Sequence, residues 1–339
     1  AVASAAGSVE VALEASAGAA AEASVAEVQV AAGKDMQSKL ITIVGPTASG
    51  KTSFAVRLAQ VLDGEIISAD SRQIYRGMDI GTGKDISEYQ VGEKNIPYHL
   101  IDIRAAGEKY TLFDYQHDFH AVLQDILSRN RRPILCGGTG LYVESVLKGY
   151  HLPDVPINAT LRKSLEGKSL QELTQILQSY RSLHNTTDTD TAQRAVRAIE
   201  IAKYQADQSI SETRFPPLES CVLGLMIDRD LRRAKITARL KRRLQEGMID
   251  EIKGLLDAGV SADDLIYYGL EYKYVTLHLL GTLSYEEMYR LLEIAIHQFA
   301  KRQMTWFRGM ERRGIPIHWI DAALPEDQKI AAALSYLNR

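Results

Sequence analysis

A glycine-rich run between a strand-like segment and a helical pattern constrains the fold of this chain most. The apolar run Leu40–Val44 stops at a glycine and a proline, and a helical pattern follows from about Lys51 to Leu62. The intervening letters GPTASGKT fit the pattern G-x-x-x-x-G-K-[ST], which belongs between a strand and a helix. Glycines let such a loop curl until its backbone N–H groups face an anion. The sequence therefore predicts a phosphate loop made of Gly45, Pro46, Thr47, Ala48, Ser49, Gly50, Lys51 and Thr52.

The loop predicts binding of a diphosphate or a triphosphate and leaves the reaction open. Lys51 would bring a positive charge to a phosphate, and the Thr52 hydroxyl would be a ligand of Mg²⁺. A kinase would also need an acceptor base and an arginine over the transferred group. A different enzyme could use the same loop to hold a diphosphate leaving group. An incidental glycine turn is the remaining alternative, and the flanking strand and helix disfavour it.

Strand and helix patterns alternate through the first half of the chain. This alternation predicts a parallel sheet with right-handed crossovers. Further strand-like runs are expected at 65–69, 132–136, 221–227 and 315–320, and helical patterns at 112–129, 231–258 and 284–313. The predicted fold class is α/β, with a P-loop NTPase-like parallel sheet as its core and an inserted helical domain.

Changes in composition divide the chain into three predicted parts. Residues 1–35 are rich in alanine and lack bulky apolar side chains, so we expect a disordered leader or an added tail before a natural start at Met36. The P-loop core with its C-terminal helices is predicted to comprise 36–153 and 218–325. The segment 154–217 contains helical patterns between proline-rich boundaries, which predicts a helical insertion.

Charge and cysteine content limit the class of protein. The 339 residues include 40 Lys+Arg and 43 Asp+Glu, a formal net charge of −3, so binding to nucleic acid would require a local basic patch. The chain has no apolar run of about eighteen residues, the length that a membrane span needs. Two cysteines cannot build a disulfide framework or a four-cysteine zinc site, which favours a cytoplasmic location.

Asp70 follows the second predicted strand, beside the phosphate loop. Open α/β sheets place their sites at this carboxyl edge. An aspartate there could serve as a general base, as an indirect ligand of Mg²⁺, or as the N-cap of a helix, a position that aspartate favours. Its position alone leaves these three roles open.

Five segments in order carry a resemblance that covers nearly everything from residue 36 to residue 321. They are the phosphate loop, ADSRQIYRGMDIGTGK at 69–84, GGTGLY at 137–142, DTAQRAVRAIE at 190–200 and AKRQMTWFR at 300–308. Together they closely resemble the tRNA dimethylallyltransferase family of bacterial type. The two cysteines speak against the zinc finger of eukaryotic relatives.

The resemblance implies that dimethylallyl diphosphate is the donor and N6 of adenosine 37 the acceptor, in tRNAs reading codons that start with U. In that family the phosphate loop holds the diphosphate, with Mg²⁺ near Thr52. By matching position, Asp70 would take the proton from N6, and Thr139 would lie near the bridging oxygen. Lys51 and Arg229 would contact the diphosphate. From its position alone, Thr139 could also be only a turn residue.

The resemblance also implies contacts with the tRNA anticodon stem-loop, partly through the insertion. The matching residues are Asp70, Ser71, Arg72, Gln73, Arg162, Gln193, Arg194, Ala195, Val196 and Arg197. Basic residues cluster again at Arg229–Arg243 and Lys301–Arg313, where a solvated helix face is the alternative to phosphate contacts. A monomer without membrane attachment is expected.

Two other functions stay open at this stage. The enzyme could prenylate free AMP, ADP or ATP, although residues 71–73 and 193–197 favour tRNA. A P-loop kinase or a nucleotide-dependent RNA-binding protein is supported by the phosphate loop alone. The segment from Tyr268 to Lys273 departs from the family's usual glycine-tyrosine-lysine turn, which we expect to alter the fit of the acceptor.

Overall fold

The computed structural model describes residues 40–180, 189–207 and 215–338. The predicted alanine-rich leader and Met36 lie outside these ranges. The chain divides into two compact units: the segment Lys148–Pro217 is one, and the residues before and after it form the other. The predicted insertion began at 154, so the second unit starts six residues earlier and ends at the same residue.

The larger unit is built on a parallel sheet. Within the described ranges the strands are β1 (Leu40–Val44), β2 (Gly64–Ser68), β3 (Tyr75–Arg76), β4 (Gln90–Val91), β5 (Lys94–Asn95), β6 (Tyr98–His99), β7 (Arg104–Ala105), β8 (Arg132–Gly137), β9 (Ser220–Met226) and β10 (His318–Asp321). The main sheet has the order β10-β9-β1-β8-β2-β6, and every pairing in it is parallel. The predicted α/β class and parallel core are confirmed.

Helices of the larger unit cover both faces of this sheet. In the described ranges the helices of the two units are, in chain order, α1 (Lys51–Leu62), α2 (Leu112–Ser128), α3 (Gly140–Leu147), α4 (Ala159–Leu165), α5 (Leu170–Tyr180), α6 (Ala192–Asp207), α7 (Arg229–Gln245), α8 (Met248–Asp257), α9 (Ala262–Tyr268), α10 (Leu270–Leu279), α11 (Tyr285–Arg312) and α12 (Glu326–Leu337). Alternate residues of β1 enter opposite cores, as the period of a strand requires. Ile41 and Ile43 pack with α1 and α12, whereas Leu40 and Val44 pack with α2, α3 and α11.

Two predicted boundaries were wrong. The helical stretch expected at 231–258 is two helices, because Gly247 has φ +99° and begins α8 in a left-handed conformation. The core does not end at 325, because α12 follows and buries Ile330 and Ala333 against the α1 side of the sheet.

Helices α4, α5 and α6 form the smaller unit around their own core, which includes Leu173, Leu177 and Ile199.

Candidate active site at the carboxyl edge of the sheet

The phosphate loop joins β1 to α1 at the centre of the sheet. Gly50 has φ +81° and begins α1, which allows the loop to turn directly into the helix. At Gly45 a Cβ atom would lie only 3.0 Å from the carbonyl oxygen of Leu225 on β9. These two glycines seat the loop against the neighbouring strand and leave the N-terminus of α1 facing outward. Such a terminus carries unpaired N–H groups and a positive dipole end, which together bind anions.

Lys51 lies inside the loop. Its Nζ atom donates a hydrogen bond to the carbonyl oxygen of Pro46 at 2.8 Å. Burial lowers the pKa of Lys51 to about 8, the nearby charge of Asp70 opposes this shift, and Arg239 adds to it. The ammonium group is thus poorly solvated and close to one carboxylate, a state in which binding of an anion would favour its charged form.

Asp70 begins the turn that follows β2. No helix begins there, so the N-cap alternative was wrong. Its Oδ1 atom instead accepts a hydrogen bond from the backbone N–H of Arg72 at 2.9 Å, which closes a short side-chain turn. The carboxylate is only half-buried. The roles of general base and of indirect Mg²⁺ ligand remain predictions.

Thr139 connects the turn after β8 to the turn after β2. Its Oγ1 atom accepts a hydrogen bond from the N–H of Ser71 at 3.1 Å, and its own N–H donates to the carbonyl of Ala69 at 3.1 Å. Because β8 lies between β1 and β2, these contacts bring Thr139 beside Asp70 at one edge of the sheet. The predicted pair Asp70 and Thr139 is therefore assembled by the fold.

The structure brings Arg239 of α7 to the loop, and the predicted diphosphate contact of Arg229 stays a prediction. Arg229 is the exposed first residue of α7, and Arg239 lies ten residues further along, about 15 Å at the rise of an α-helix. Arg239 borders a cavity of about 20 Å³ together with Thr47 and Arg243. The sequence could not distinguish these arginines, because α7 is basic along its whole length.

Two guanidinium groups of α7 lie unusually deep. Arg243 is 6% exposed, and neither its Nη2 atom nor the Nε atom of Arg239 has a hydrogen-bond partner in the ranges that the structure describes. Gly83 makes room for them, since a Cβ at this position would overlap both guanidinium groups. This contradicts the reading of the α7 basic run as one exposed face. A buried arginine stays charged, so these groups raise the positive potential next to the loop.

The segment that departs from the family's usual turn packs onto the Asp70 turn. The carbonyl of Tyr267 accepts a hydrogen bond from Arg72 Nη1 at 3.2 Å. Glu271 borders the same small cavity as Arg239, and burial raises its pKa while Arg239 and Arg72 lower it. Sequence reasoning assigned Glu271 no role, and its only signal was the departure itself.

Glu251 anchors the loop that continues from the Asp70 turn. Its carboxylate accepts three successive backbone N–H groups, those of Asp79, Ile80 and Gly81, at 2.6 to 3.0 Å. The hydroxyl of Tyr272 donates to the same carboxylate at 2.7 Å. No short-range pattern marks this contact, because the partners are about 170 residues apart.

In the smaller unit, two of the predicted tRNA-contacting arginines share one buried carboxylate. Glu200 is 2% exposed and accepts from Arg162 Nη2 at 2.9 Å and from Arg197 Nη1 at 2.6 Å. Burial would raise the pKa of Glu200, but hydrogen bonds from both arginines and from the N–H of Asn158 lower it to about 2. Both arginine side chains remain about 40% exposed.

The other residues of this unit that were predicted to contact tRNA differ in how exposed they are. Gln193 and Arg194 are exposed on the first turn of α6, and Arg194 pairs with Asp190 at 3.0 Å. Val196 is half-buried. Ala195 is fully buried in the core of the unit, so its side chain cannot contact a ligand, which corrects the prediction for that residue.

The described residues lack two further features. In the described part of the chain, no helix is long and apolar enough to cross a membrane. The same residues contain no group of three or more His, Cys, Asp or Glu side chains that could hold a metal ion by themselves.

Comparisons with known proteins agree with this architecture. Residues 73–310 match the family described as IPP transferase, and residues 38–97 match the isopentenyl transferase family. The chain is 66% identical to tRNA dimethylallyltransferase 2 of Porphyromonas gingivalis strain W83, across 87% of this chain and 98% of that protein. It is 63% identical to tRNA dimethylallyltransferase 1 of Parabacteroides distasonis, across 88% of this chain and 98% of that protein.

Solved structures give the same picture. The tRNA isopentenylpyrophosphate transferase of Bacillus halodurans is 34% identical and superimposes with a TM-score of 0.66, covering 88% of this chain and 97% of that one. A eukaryotic dimethylallyltransferase acting on tRNA is 20% identical with a TM-score of 0.71, covering 88% and 80%. This last likeness concerns the fold alone.

Proposed function

The chain belongs to the IPP transferase family, and from this premise we propose that it transfers a dimethylallyl group from dimethylallyl diphosphate to tRNA. The acceptor is N6 of adenosine 37 in tRNAs that read codons starting with U, and diphosphate is released. The observation that carries the proposal is the match to relatives named tRNA dimethylallyltransferase across 98% of their length. The arrangement of Lys51, Asp70 and Thr139 at one edge of the sheet suits this chemistry.

The phosphate loop is proposed to hold the leaving group. As the bond between C1 of the prenyl group and the bridging oxygen breaks, its electron pair stays on the diphosphate, whose negative charge grows. Fixed positive groups aimed at that charge lower the barrier most effectively. Lys51, the N-terminus of α1 and Arg239 would supply them, and Thr139, whose hydroxyl contacts the turn beside Asp70, is proposed to contact the bridging oxygen. We add Arg239 to the predicted diphosphate contacts, alongside Arg229.

Asp70 is proposed to act on the acceptor. The exocyclic amine of adenine is a weak nucleophile, so a carboxylate within hydrogen-bond reach should accept its proton as the new C1–N bond forms. The Asp70 carboxylate is half-buried and already has one oxygen oriented by the Arg72 N–H. Its second oxygen is free of this turn contact and could accept the proton.

Mg²⁺ fits the donor set on chemical grounds. This ion prefers oxygen ligands, retains several waters and commonly binds through one or two protein groups plus substrate phosphates. The Thr52 hydroxyl at the start of α1 is such a group. When bound, Mg²⁺ would neutralise part of the diphosphate charge.

Recognition of tRNA is proposed to use both units. Adenosine 37 must leave the stack of the anticodon loop before its N6 can reach Asp70. Ser71, Arg72 and Gln73 adjoin Asp70, while Arg162, Gln193, Arg194 and Arg197 present polar groups on the smaller unit. The anticodon stem-loop as partner, the monomeric state and the cytoplasmic location stay predictions.

Label transfer tests the proposed function. The full chain is incubated with Mg²⁺ and radiolabelled dimethylallyl diphosphate, together with either unmodified tRNA or AMP. We expect label in tRNA, at the adenosine next to the anticodon, and none in AMP. Label in AMP alone would contradict the proposal, as would ATP-dependent phosphorylation without prenyl transfer.

A further inference from the structure

Gln303 of α11 ties the phosphate loop to the turn that carries Thr139. Its Oε1 atom accepts a hydrogen bond from the backbone N–H of Thr47 at 2.8 Å, and its Nε2 atom donates to the carbonyl of Gly138 at 2.9 Å. The residue is 7% exposed, and a Cβ at Gly138 would overlap its Nε2 atom. The carboxamide is thus confined to one orientation with both of its ends engaged.

The position of this contact within the loop matters for ligand binding. Backbone N–H groups of a phosphate loop bind phosphoryl oxygens. The first phosphoryl groups of the ligand lie next to the helix N-terminus and the lysine. Thr47 lies in the first half of the loop, before the residues that open α1. A third phosphoryl group would extend toward this half, where the Thr47 N–H already has an acceptor and where the Gln303 Oε1 atom would repel a phosphoryl oxygen.

We propose that Gln303 is a specificity-determining residue that restricts the phosphate loop to diphosphates by occupying the Thr47 amide. The proposal rests on the proposed function in one respect, namely that the loop binds a diphosphate donor. The inference adds which side chain makes this loop prefer diphosphates to triphosphates. A stabilising role alone would affect folding, but it would leave the relative affinity for the two anions unchanged.

The test compares inorganic diphosphate with inorganic triphosphate. Both are titrated calorimetrically into the full chain in the presence of Mg²⁺. The wild-type protein should bind diphosphate more tightly by about tenfold or more, the value of one hydrogen bond to a charged group. Gln303→Ala frees the Thr47 N–H and opens space, so it should lower this ratio about tenfold, mainly through tighter binding of triphosphate.

Two further variants sharpen the result. Gln303→Glu keeps an oxygen near Thr47 and adds a negative charge, so it should retain the preference for diphosphate. Gln298→Ala, an exposed glutamine on the same helix, is the matched control and should leave the ratio unchanged. The ratio is insensitive to an unfolded fraction, because both anions are titrated into one preparation, and Gln303→Ser replaces the alanine variant if that variant does not fold.

The outcomes separate the two proposals. If wild type binds both anions equally, or if Gln303→Ala and Gln303→Ser keep the wild-type ratio, the role of Gln303 is overturned while prenyl transfer to tRNA can still stand. If wild type binds neither diphosphate nor dimethylallyl diphosphate, the assignment of the donor site fails, and the role of Gln303 fails with it.

Discussion

Lys51 in the phosphate loop and the paired arginines of the smaller unit are all basic groups near a carboxylate, but their surroundings differ. Lys51 is half-buried, donates to a backbone carbonyl and has a pKa that desolvation lowers to about 8. Arg162 and Arg197 each make a charged hydrogen bond to Glu200 and keep about 40% of their side chains exposed. A poorly solvated cation without a carboxylate partner gains most from a bound anion, whereas a paired surface arginine is already satisfied.

The difference suggests separate kinetic roles. We expect changes at the carboxyl edge of the sheet to act on the chemical step and on binding of the diphosphate. Changes in the smaller unit should act on binding of tRNA and on its salt dependence, because phosphate contacts dominate nucleic-acid affinity.

Removal of the Asp70 carboxylate should give the largest effect. Asp70→Ala is expected to lower kcat by roughly 10²–10⁴, the usual contribution of a positioned base, with the Kd for tRNA largely unchanged. Asp70→Asn is the matched control, because its amide oxygen can still accept from the Arg72 N–H and preserve the turn. An Asn variant with wild-type turnover would reduce Asp70 to a turn residue.

The arginines of α7 come next. Arg239→Ala should lower kcat/KM by about 10², in the range for losing one group that stabilises developing charge, whereas Arg229→Ala should give a smaller loss. The reason is that Arg239 borders the same small cavity as Thr47 of the loop, whereas Arg229 is exposed on the first turn of α7. Steady-state kinetics with varied dimethylallyl diphosphate measures both variants. A larger loss for Arg229→Ala than for Arg239→Ala would contradict this order.

The lowered pKa of Lys51 predicts a pH dependence. Its ammonium loses its proton as the pH rises through about 8, well below the ordinary value of 10.5. Binding of inorganic diphosphate should therefore weaken about tenfold between pH 7 and pH 9, since only the charged form attracts the anion. Lys51→Arg should bind with a flatter profile, because a guanidinium keeps its proton over this range. Equal slopes for the two proteins would contradict the role of Lys51.

The sequence was most informative where local chemistry determines structure. The helix Lys51–Leu62 was predicted to the residue, because Gly50 and the spacing of Phe54, Leu58 and Leu62 mark its start and its buried face. Gly247 was the signal for the break between α7 and α8, and it was overlooked within a periodic pattern.

Contacts between distant segments could not be read in the same way. Gln303 lies within a recognised motif, yet its partners Thr47 and Gly138 are 256 and 165 residues away. The choice between Arg229 and Arg239 depends on which turn of α7 faces the loop, and periodicity does not report that. Arg162 and Arg197 were correctly placed on the helical insertion, but their shared carboxylate, Glu200, needed the packing of α4 against α6.

Glu200 allows a test of its ionised pairing with Arg162 and Arg197 in the smaller unit. Its pKa of about 2 lies below the ordinary value of 4.5, so its stabilisation is fully present above about pH 4.5 and is lost as the pH falls toward 2. Glu200→Gln should lower the Tm at pH 7, and the difference from wild type should shrink between pH 5 and pH 3. The KM for tRNA should rise about threefold to tenfold with kcat nearly unchanged, because the two arginines that are proposed to contact tRNA lose their orientation. A Tm difference that is constant with pH would contradict the ionised pairing.

Arg194 should show the smallest effect and the cleanest signature. It is exposed, and its pairing with Asp190 is a surface contact that water screens, so its loss should scarcely affect stability. Arg194→Ala is expected to weaken tRNA binding a few-fold and to reduce the slope of log Kd against log salt by about one, as for a single phosphate contact. Asp190→Ala, which frees the same guanidinium, is the matched control and should leave the slope at its wild-type value or increase it. If Arg194→Ala lowered kcat and left the salt slope unchanged, the smaller unit would contribute to the chemical step, and the separation between the two regions would be wrong.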